Sequence, residues 1–394
     1  MKNIIIIYTF SPFPGGDANA NRIYAMALSM QDAGYKVIVL TNTLANKAYY
    51  NKTTGQYAYK NIEYRSYYKP NLSRFKRIIN RYDIKQILKS TLKPTERKNV
   101  CLIVSSYKNY SIILRLFSKR YKLPELVDVT EWHSSFQFNF GRFNLKYLLH
   151  DLKNRFLIPK AKNVICVSKY LENYYKLRKC NTFYLPPPIV INDYLPHTLP
   201  HLPPVTFFYA GSIQKKDFIE IALAGFAMLN KAEKEKIKII IAGCDKETLK
   251  EQLPNGKKLI NNLGNILSVV GRISKDEVEQ YLSKSHFLFL LRPVARYSKA
   301  GFPSKIPEAL ASGVPVIVNL TSDLGNFIFE FKNGIIVNKL AAKEFAIAVR
   351  KALGLTEEKF TTMSNNAHLS AKENFDYTNY NQTMEKYLND ILSA

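Results

Sequence analysis

The 394-residue sequence predicts an α/β protein of two domains, each an open sheet of strands alternating with helices. Two observations lead there. Short apolar runs alternate with segments of helical period in two series, and a proline-rich stretch separates the series. The run from Ala300 to Ile317, AGFPSKIPEALASGVPVI, reads as a loop, a short helix closed by Gly313, and a buried strand at 314–318. A buried parallel strand directly after a helix belongs to α/β architecture.

The first series begins with a strand at 4–8, a helix at 19–33 and a strand at 36–40. It continues with a strand at 100–105, a helix at 111–117 and a strand at 163–167. Seven prolines then fall within 186–204, a density that blocks regular structure and marks the domain junction. The second series has strands at 206–210, 238–242, 266–270 and 287–291, with helices at 219–229 and 275–283. After the 300–317 run come a strand at 335–337 and a helix at 342–352. The expected domains are 1–195 and 196–376, with a final helix at 377–394 returning to the first. Two open sheets facing across a cleft would hold ligands at the carboxyl ends of their strands.

Composition narrows the function. The apolar fraction of 46% supports a large core, and no stretch approaches the roughly 20 apolar residues of a membrane span. The opening Met1-Lys-Asn and the short run after it read as a buried first strand, too short for a signal-peptide core. Four cysteines without CxxC spacing fit a reduced, metal-free, cytoplasmic protein. The net charge of +26 is unevenly placed: residues 1–200 hold 32 Lys and Arg against 11 Asp and Glu. Ten basic side chains lie within 69–98, against Asp83 and Glu96. Apolar residues recur among them at Leu72, Phe75, Ile78, Ile79, Tyr82, Leu88 and Leu92, the spacing of a basic amphipathic helix. Such a helix suits an anionic membrane surface, and equally a solvated face packed on a core. No helix-turn-helix, zinc or RNA-recognition signature points to nucleic acid.

The loops after strands carry the candidate chemistry. Gly15 and Gly16 permit close backbone approach, Asp17 or Asn19 can cap the next helix, and Arg22 either holds a phosphate or is solvated. In the second series Gly211 frees space for a ligand, and Lys215 or Lys216 offers a cation. Arg292, ending an apolar strand, needs a partner: a bound diphosphate or Glu308. The loop before the helix at Lys305 leaves backbone N–H groups facing outward for an anion.

The Gly-Phe-Pro-Ser-Lys-Ile-Pro-Glu run, taken with the loops, resembles the retaining family-4 glycosyltransferases of the GT-B fold, with two Rossmann-like domains, along nearly the whole chain. The form of the motif is similar to a branch used in capsule and O-antigen synthesis. In that family two glutamates bracket the motif. Glu308 matches the second, which bonds the donor's ribose, while Ala300 stands where the first would be. The resemblance places Gly301, Phe302, Pro303, Ser304 and Lys305 at the diphosphate and sugar. It likens Gly211 to Lys216 to a diphosphate loop, with Lys216 as its lysine and Ser212 replacing an arginine, a loss that Arg292 and Lys305 would offset. Arg272 and Ile273, after Gly271, correspond to the nucleobase loop. Gly15 and Gly16 correspond to the loop beside the transferred phosphate and acceptor. Glu131 and His133, in Asp128-Val-Thr-Glu-Trp-His133, fall at the acceptor-side acid or histidine, although a histidine beside the sole tryptophan can equally be packed structure. Glu131, His133, Lys216 and Arg292 are therefore the catalytic candidates.

The implied reaction moves a sugar from a nucleoside diphosphate sugar to a lipid-linked glycan on polyprenyl diphosphate, with no metal or other cofactor. The enzyme would be peripheral at the inner face of the plasma membrane. A basic membrane-binding or polyanion-binding module without catalysis, and a GT-B nucleotide-sugar epimerase, are the alternatives.

Overall fold

The computed structural model describes residues 3–15, 17–52, 55–198, 202–211 and 216–393. Two compact units result: unit 1 is Met1–Ile189 with Tyr377–Ala394, and unit 2 is Val190–Asp376. The division falls earlier than the expected 195/196 because the chain from Val190 onward is bonded inside unit 2. Ile191 N–H donates to Asp376 Oδ2 at 3.1 Å, His197 meets the Ser285 carbonyl at 2.8 Å, and Thr198 N–H donates to the Ser283 carbonyl at 3.0 Å.

Unit 1 contains β1 (Ile4–Thr9), β2 (Lys36–Thr41), β3 (Tyr50–Asn51), β4 (Gln56–Tyr59), β5 (Ile62–Ser66), β6 (Val100–Ser106), β7 (Glu125–Val129), β8 (Asn163–Cys166) and β9 (Asn181–Tyr184). They form one sheet in the order β3-β4-β5-β2-β1-β6-β7-β8-β9. All pairings are parallel except the antiparallel β3–β4 and β4–β5. β1 is buried along its whole length, as a central parallel strand covered on both faces must be. The helix Asn381–Ser393 packs Tyr387 on Phe183, with ring centroids 5.2 Å apart, and buries Met384, Leu388 and Ile391.

Unit 2 contains β10 (Val205–Ala210), β11 (Ile237–Ala242), β12 (Leu267–Val269), β13 (Phe287–Leu290), β14 (Val316–Val318) and β15 (Gly334–Ile336), all parallel, in the order β12-β11-β10-β13-β14-β15. Phe207, Phe226, Phe287, Phe289 and Phe345 fill its centre in edge-to-face and stacked contacts of 5.0–5.9 Å. Such pairs add about 0.5–1.5 kcal/mol each beyond the area they bury. Counted from the centre, both sheets share the doubly wound order 3-2-1-4-5-6. Each therefore has one point, β1/β6 or β10/β13, where neighbouring loops leave in opposite directions.

Two expectations are corrected. The basic stretch is not one amphipathic helix but three short ones, Arg74–Asn80, Ile84–Thr91 and Pro94–Lys98. Asp83 bonds the backbone N–H of Gln86 and so starts a new helix, and Pro94 can only open one. The strand expected from Val314 begins at Val316, because Pro315 has no N–H to give a ladder. Cys166, Cys180 and Cys244 are buried, and all four cysteines are free thiols. Among the described residues no helix is long and apolar enough to cross a membrane.

Candidate functional site

At the carboxyl edge of the unit 2 sheet, three turns pack backbone on backbone. Gly211 N–H donates to the Ala242 carbonyl at 2.9 Å, and Gly243 N–H to the Gly271 carbonyl at 2.7 Å. Gly243 has φ +116°, and a Cβ there would sit 2.2 Å from the Gly211 oxygen. Only glycine fits that position. A Cβ on Gly211 would lie 2.9 Å from both Lys305 Nζ and the Tyr209 hydroxyl, so the bare backbone makes room for the ammonium group.

Asp217 is the hub of the charges here. Its carboxylate accepts from Arg292 Nε at 2.8 Å and from the Tyr209 hydroxyl at 2.9 Å, with Lys305 Nζ at 4.0 Å. Burial opposes its charge, but Arg292 and Lys305 outweigh burial and hold the carboxyl below its ordinary range. Burial pulls Lys305 down; the field of Arg292 adds to that, and Asp217 and Glu308 partly oppose it. Lys216 also faces Lys305 closely enough to disfavour its charge, and its carbonyl accepts from the Tyr297 hydroxyl. Arg292 is fixed through its backbone: its N–H donates to Asn319 Oδ1 at 2.9 Å, and Asn319 Nδ2 returns a bond to its carbonyl at 2.7 Å. Two cations, Arg292 and Lys305, thus meet one carboxylate at the β10/β13 switch point, with Lys216 near Lys305, an arrangement suited to an anion with more than one negative charge.

The glutamate Glu308 stands in the first turn of the helix Lys305–Ala311. Ser304 occupies the cap position of that helix but makes no side-chain cap bond. Arg272 is exposed and Ile273 half-buried, beyond Gly271 at φ +78°. The Phe302 side chain is buried. It packs edge-to-face on Phe327 and Phe375, both at 5.7 Å, with Gly301 and Pro303 buried beside it. Ala300 is fully buried at the end of the helix Arg296–Ala300. Ser212, with Lys215, lies outside the described residues.

In unit 1 Asp17 is the helix cap, accepting from Ala20 N–H at 2.7 Å. Gly15 lies tight against Pro12, and Gly16 lies outside the described residues. Arg22 is corrected from a phosphate ligand to a structural residue. Its Nε and Nη2 grip Asp128 at 2.9 and 2.8 Å, and Nη1 donates to the Leu185 carbonyl at 3.0 Å. Trp132 is buried and donates from Nε1 to Asp151 at 2.9 Å. Glu131 and His133 do come together: Glu131 Oε2 lies 3.4 Å from His133 Nε2 and accepts from the Tyr107 hydroxyl at 2.8 Å. Burial, reinforced by Glu131, pushes the Tyr107 hydroxyl far above its usual range. His150 Nε2 accepts the backbone N–H of His133 at 3.1 Å and sets where that residue stands.

Sequence reasoning missed Asp217, Gly243, Asn319, Tyr107 and His150. Gly243 had the same signal as Gly211, a position just after an apolar strand. Among the described residues no group of three or more His, Cys, Asp and Glu side chains is placed to hold a metal ion.

Residues 197–369 match the family model of glycosyl transferases group 1. Solved structures resemble the whole chain at low identity. Sucrose-phosphate synthase from Thermosynechococcus elongatus is 16% identical with a TM-score of 0.73, and all of both chains is covered. Anabaena Alr3699/HepE, in complex with UDP and glucose, is 15% identical with a TM-score of 0.70, covering 98% of this chain and 100% of that one. WaaG, a glycosyltransferase involved in lipopolysaccharide biosynthesis, is 12% identical with a TM-score of 0.66, covering 98% and 99%. No curated protein matches the chain in sequence. The doubly wound sheets and the solved structures that resemble them give the chain the GT-B fold, and its second unit carries the match to glycosyl transferases group 1.

Proposed function

We propose that the protein is a glycosyltransferase that moves a sugar from a nucleoside diphosphate sugar to a polyprenyl-diphosphate-linked glycan, with retention at the anomeric carbon. The observation that carries this reading is the meeting of Arg292 and Lys305 at Asp217, with Lys216 near Lys305, at the switch point of unit 2. As the bond from the anomeric carbon to the diphosphate breaks, negative charge grows on the leaving oxygens. Cations already fixed by Asp217 and Asn319 meet that charge without reorganising, the term that usually dominates such catalysis. The route calls on no metal, because the protein's own cations hold the diphosphate. UDP and glucose in the HepE complex support a nucleotide sugar as donor.

Glu308 is assigned to the donor's ribose, and Arg272 with Ile273 to its base. Glu131 and His133 are assigned to the acceptor side. Replacing Glu308 by Ala should abolish UDP or GDP binding in calorimetry, or turnover with the preferred nucleotide sugar. Unimpaired binding and turnover would remove the site assignment.

The acceptor reading places the enzyme in bacterial surface-polysaccharide synthesis, peripheral at the cytoplasmic face of the membrane. The charge of residues 1–200 supports it: each Lys or Arg near an anionic surface contributes about 1 kcal/mol. Reversing several basic residues within 74–89 should release the protein from anionic vesicles in a co-sedimentation assay. Retention equal to the unmodified protein would refute a membrane role for that stretch.

A further inference from the structure

Unit 1 carries an apolar surface that the charge pattern did not disclose. Around the helix Leu145–Leu152, Phe140 is 86% exposed, Phe143 90%, Leu145 67% and Phe156 62%, with Leu149 and Leu152 also open to solvent. An ordinary surface helix turns such a stripe inward, and a contiguous exposed apolar patch marks an interaction site. The charges around it have one sign. Within 136–162 there are six Lys and Arg, and the one carboxylate, Asp151, is occupied by Arg155 at 2.6 Å and by Trp132. The neighbouring helix Ile112–Tyr121 reaches this segment through Arg115, which donates to the Lys160 carbonyl, and it exposes Ile112 and Leu116.

From this geometry we infer that residues 136–156 form the membrane-inserting surface of unit 1, and that its occupant is the interface of an anionic lipid bilayer. A protein partner of ordinary composition would offer carboxylates at its rim or apolar residues at its centre. The bilayer offers a continuous anionic layer over hydrocarbon, which matches aromatic and leucine side chains set among Arg and Lys. The same helix has a second role on its inner side. His150 holds the His133 N–H, Asp151 holds the Trp132 indole, and Asn154 Nδ2 bonds the His150 carbonyl at 2.9 Å. The element that meets lipid is therefore the one that positions Trp132 and His133, next to Glu131, so an acceptor anchored in the bilayer is presented beside the acceptor-side residues.

This inference rests on the membrane association proposed above and is tested apart from it. The probes are vesicles of phosphatidylcholine alone, and of phosphatidylcholine with about one-third phosphatidylglycerol. A Phe140→Ser, Phe143→Ser, Leu149→Ser variant changes only exposed side chains and should keep the circular-dichroism spectrum of the unmodified protein. It should partition onto anionic vesicles about tenfold less or weaker still. A Phe143→Trp variant should show blue-shifted emission and quenching by brominated acyl chains, which native Trp132, buried in unit 1, does not report. If the unmodified protein sediments with anionic vesicles but the triple variant does so equally and the new tryptophan is not quenched, the insertion surface is wrong while the membrane reading survives. Failure of the unmodified protein to bind either vesicle overturns both. A dimer in sedimentation velocity that the triple variant loses, with vesicle binding unchanged, would make a second copy the occupant and overturn the inference.

Discussion

Alanine at Arg292 should lower kcat by roughly 10²–10³ with folding intact, the usual cost of removing one preorganised donor from a developing anion. Lysine should restore only part of the rate, because an ammonium cannot bond Asp217 through Nε and still offer a fork of donors to a phosphate. The competing explanation is that Arg292 serves only to neutralise Asp217. A double change, Arg292→Ala with Asp217→Asn, separates the two. If Arg292 is merely a counter-ion, removing both charges should recover much of the lost activity. If it meets the diphosphate, the double variant should stay as slow as the single one. Steady-state kinetics with calorimetry of UDP binding decides it, and a kcat within a few-fold of the unmodified enzyme in the single variant would sink the assignment.

The second large effect is on stability. Arg22→Ala leaves Asp128 charged and buried, since their side chains are only 5% and 4% exposed. Removing one partner of a buried ion pair costs about 3–5 kcal/mol, and here two backbone carbonyls, of Leu185 and Pro186, lose their donor as well. The sole tryptophan, Trp132, lies in unit 1, so its fluorescence reports the unfolding of that unit and avoids assigning one free energy to a two-unit chain. The fluorescence midpoint in urea should fall sharply for Arg22→Ala. It should fall much less for the apolar pair Arg22→Met with Asp128→Leu, in which no charge is stranded. A shift for Arg22→Ala as small as that of a surface substitution would refute the structural role.

How far the sequence could be read depended on whether a signal was local. The apolar strands β1, β10 and β13 were visible because each is a run of buried residues with turn signals at its end. β7 was not, because Glu125 and Asp128 interrupt it, and those side chains are bonded by Tyr110 and Arg22 from other segments. The site divides the same way. Gly211, Lys216, Arg292, Lys305 and Glu308 were singled out because each follows a strand or opens a helix. Asp217 was passed over because its partner Arg292 is far along the chain, and the adjacency of β10 and β13 that joins them is a product of topology. Arg22 misled for the matching reason: one turn into a helix after a glycine loop it looked like a phosphate ligand, and Asp128 claimed it. The basic stretch misled through its period, which ran across two helix starts.

The way unit 1 is assembled from both ends of the chain bears on its birth. Its last strand ends at Tyr184, yet the helix that covers Phe183 and bonds the Asn181 carbonyl through the Tyr387 hydroxyl is made from the final residues. Unit 2 is continuous and can close as it leaves the ribosome. Unit 1 must wait, its Phe183 side uncovered, until nearly two hundred further residues have been synthesised. During translation unit 2 can thus be finished before unit 1, the unit proposed to meet the membrane.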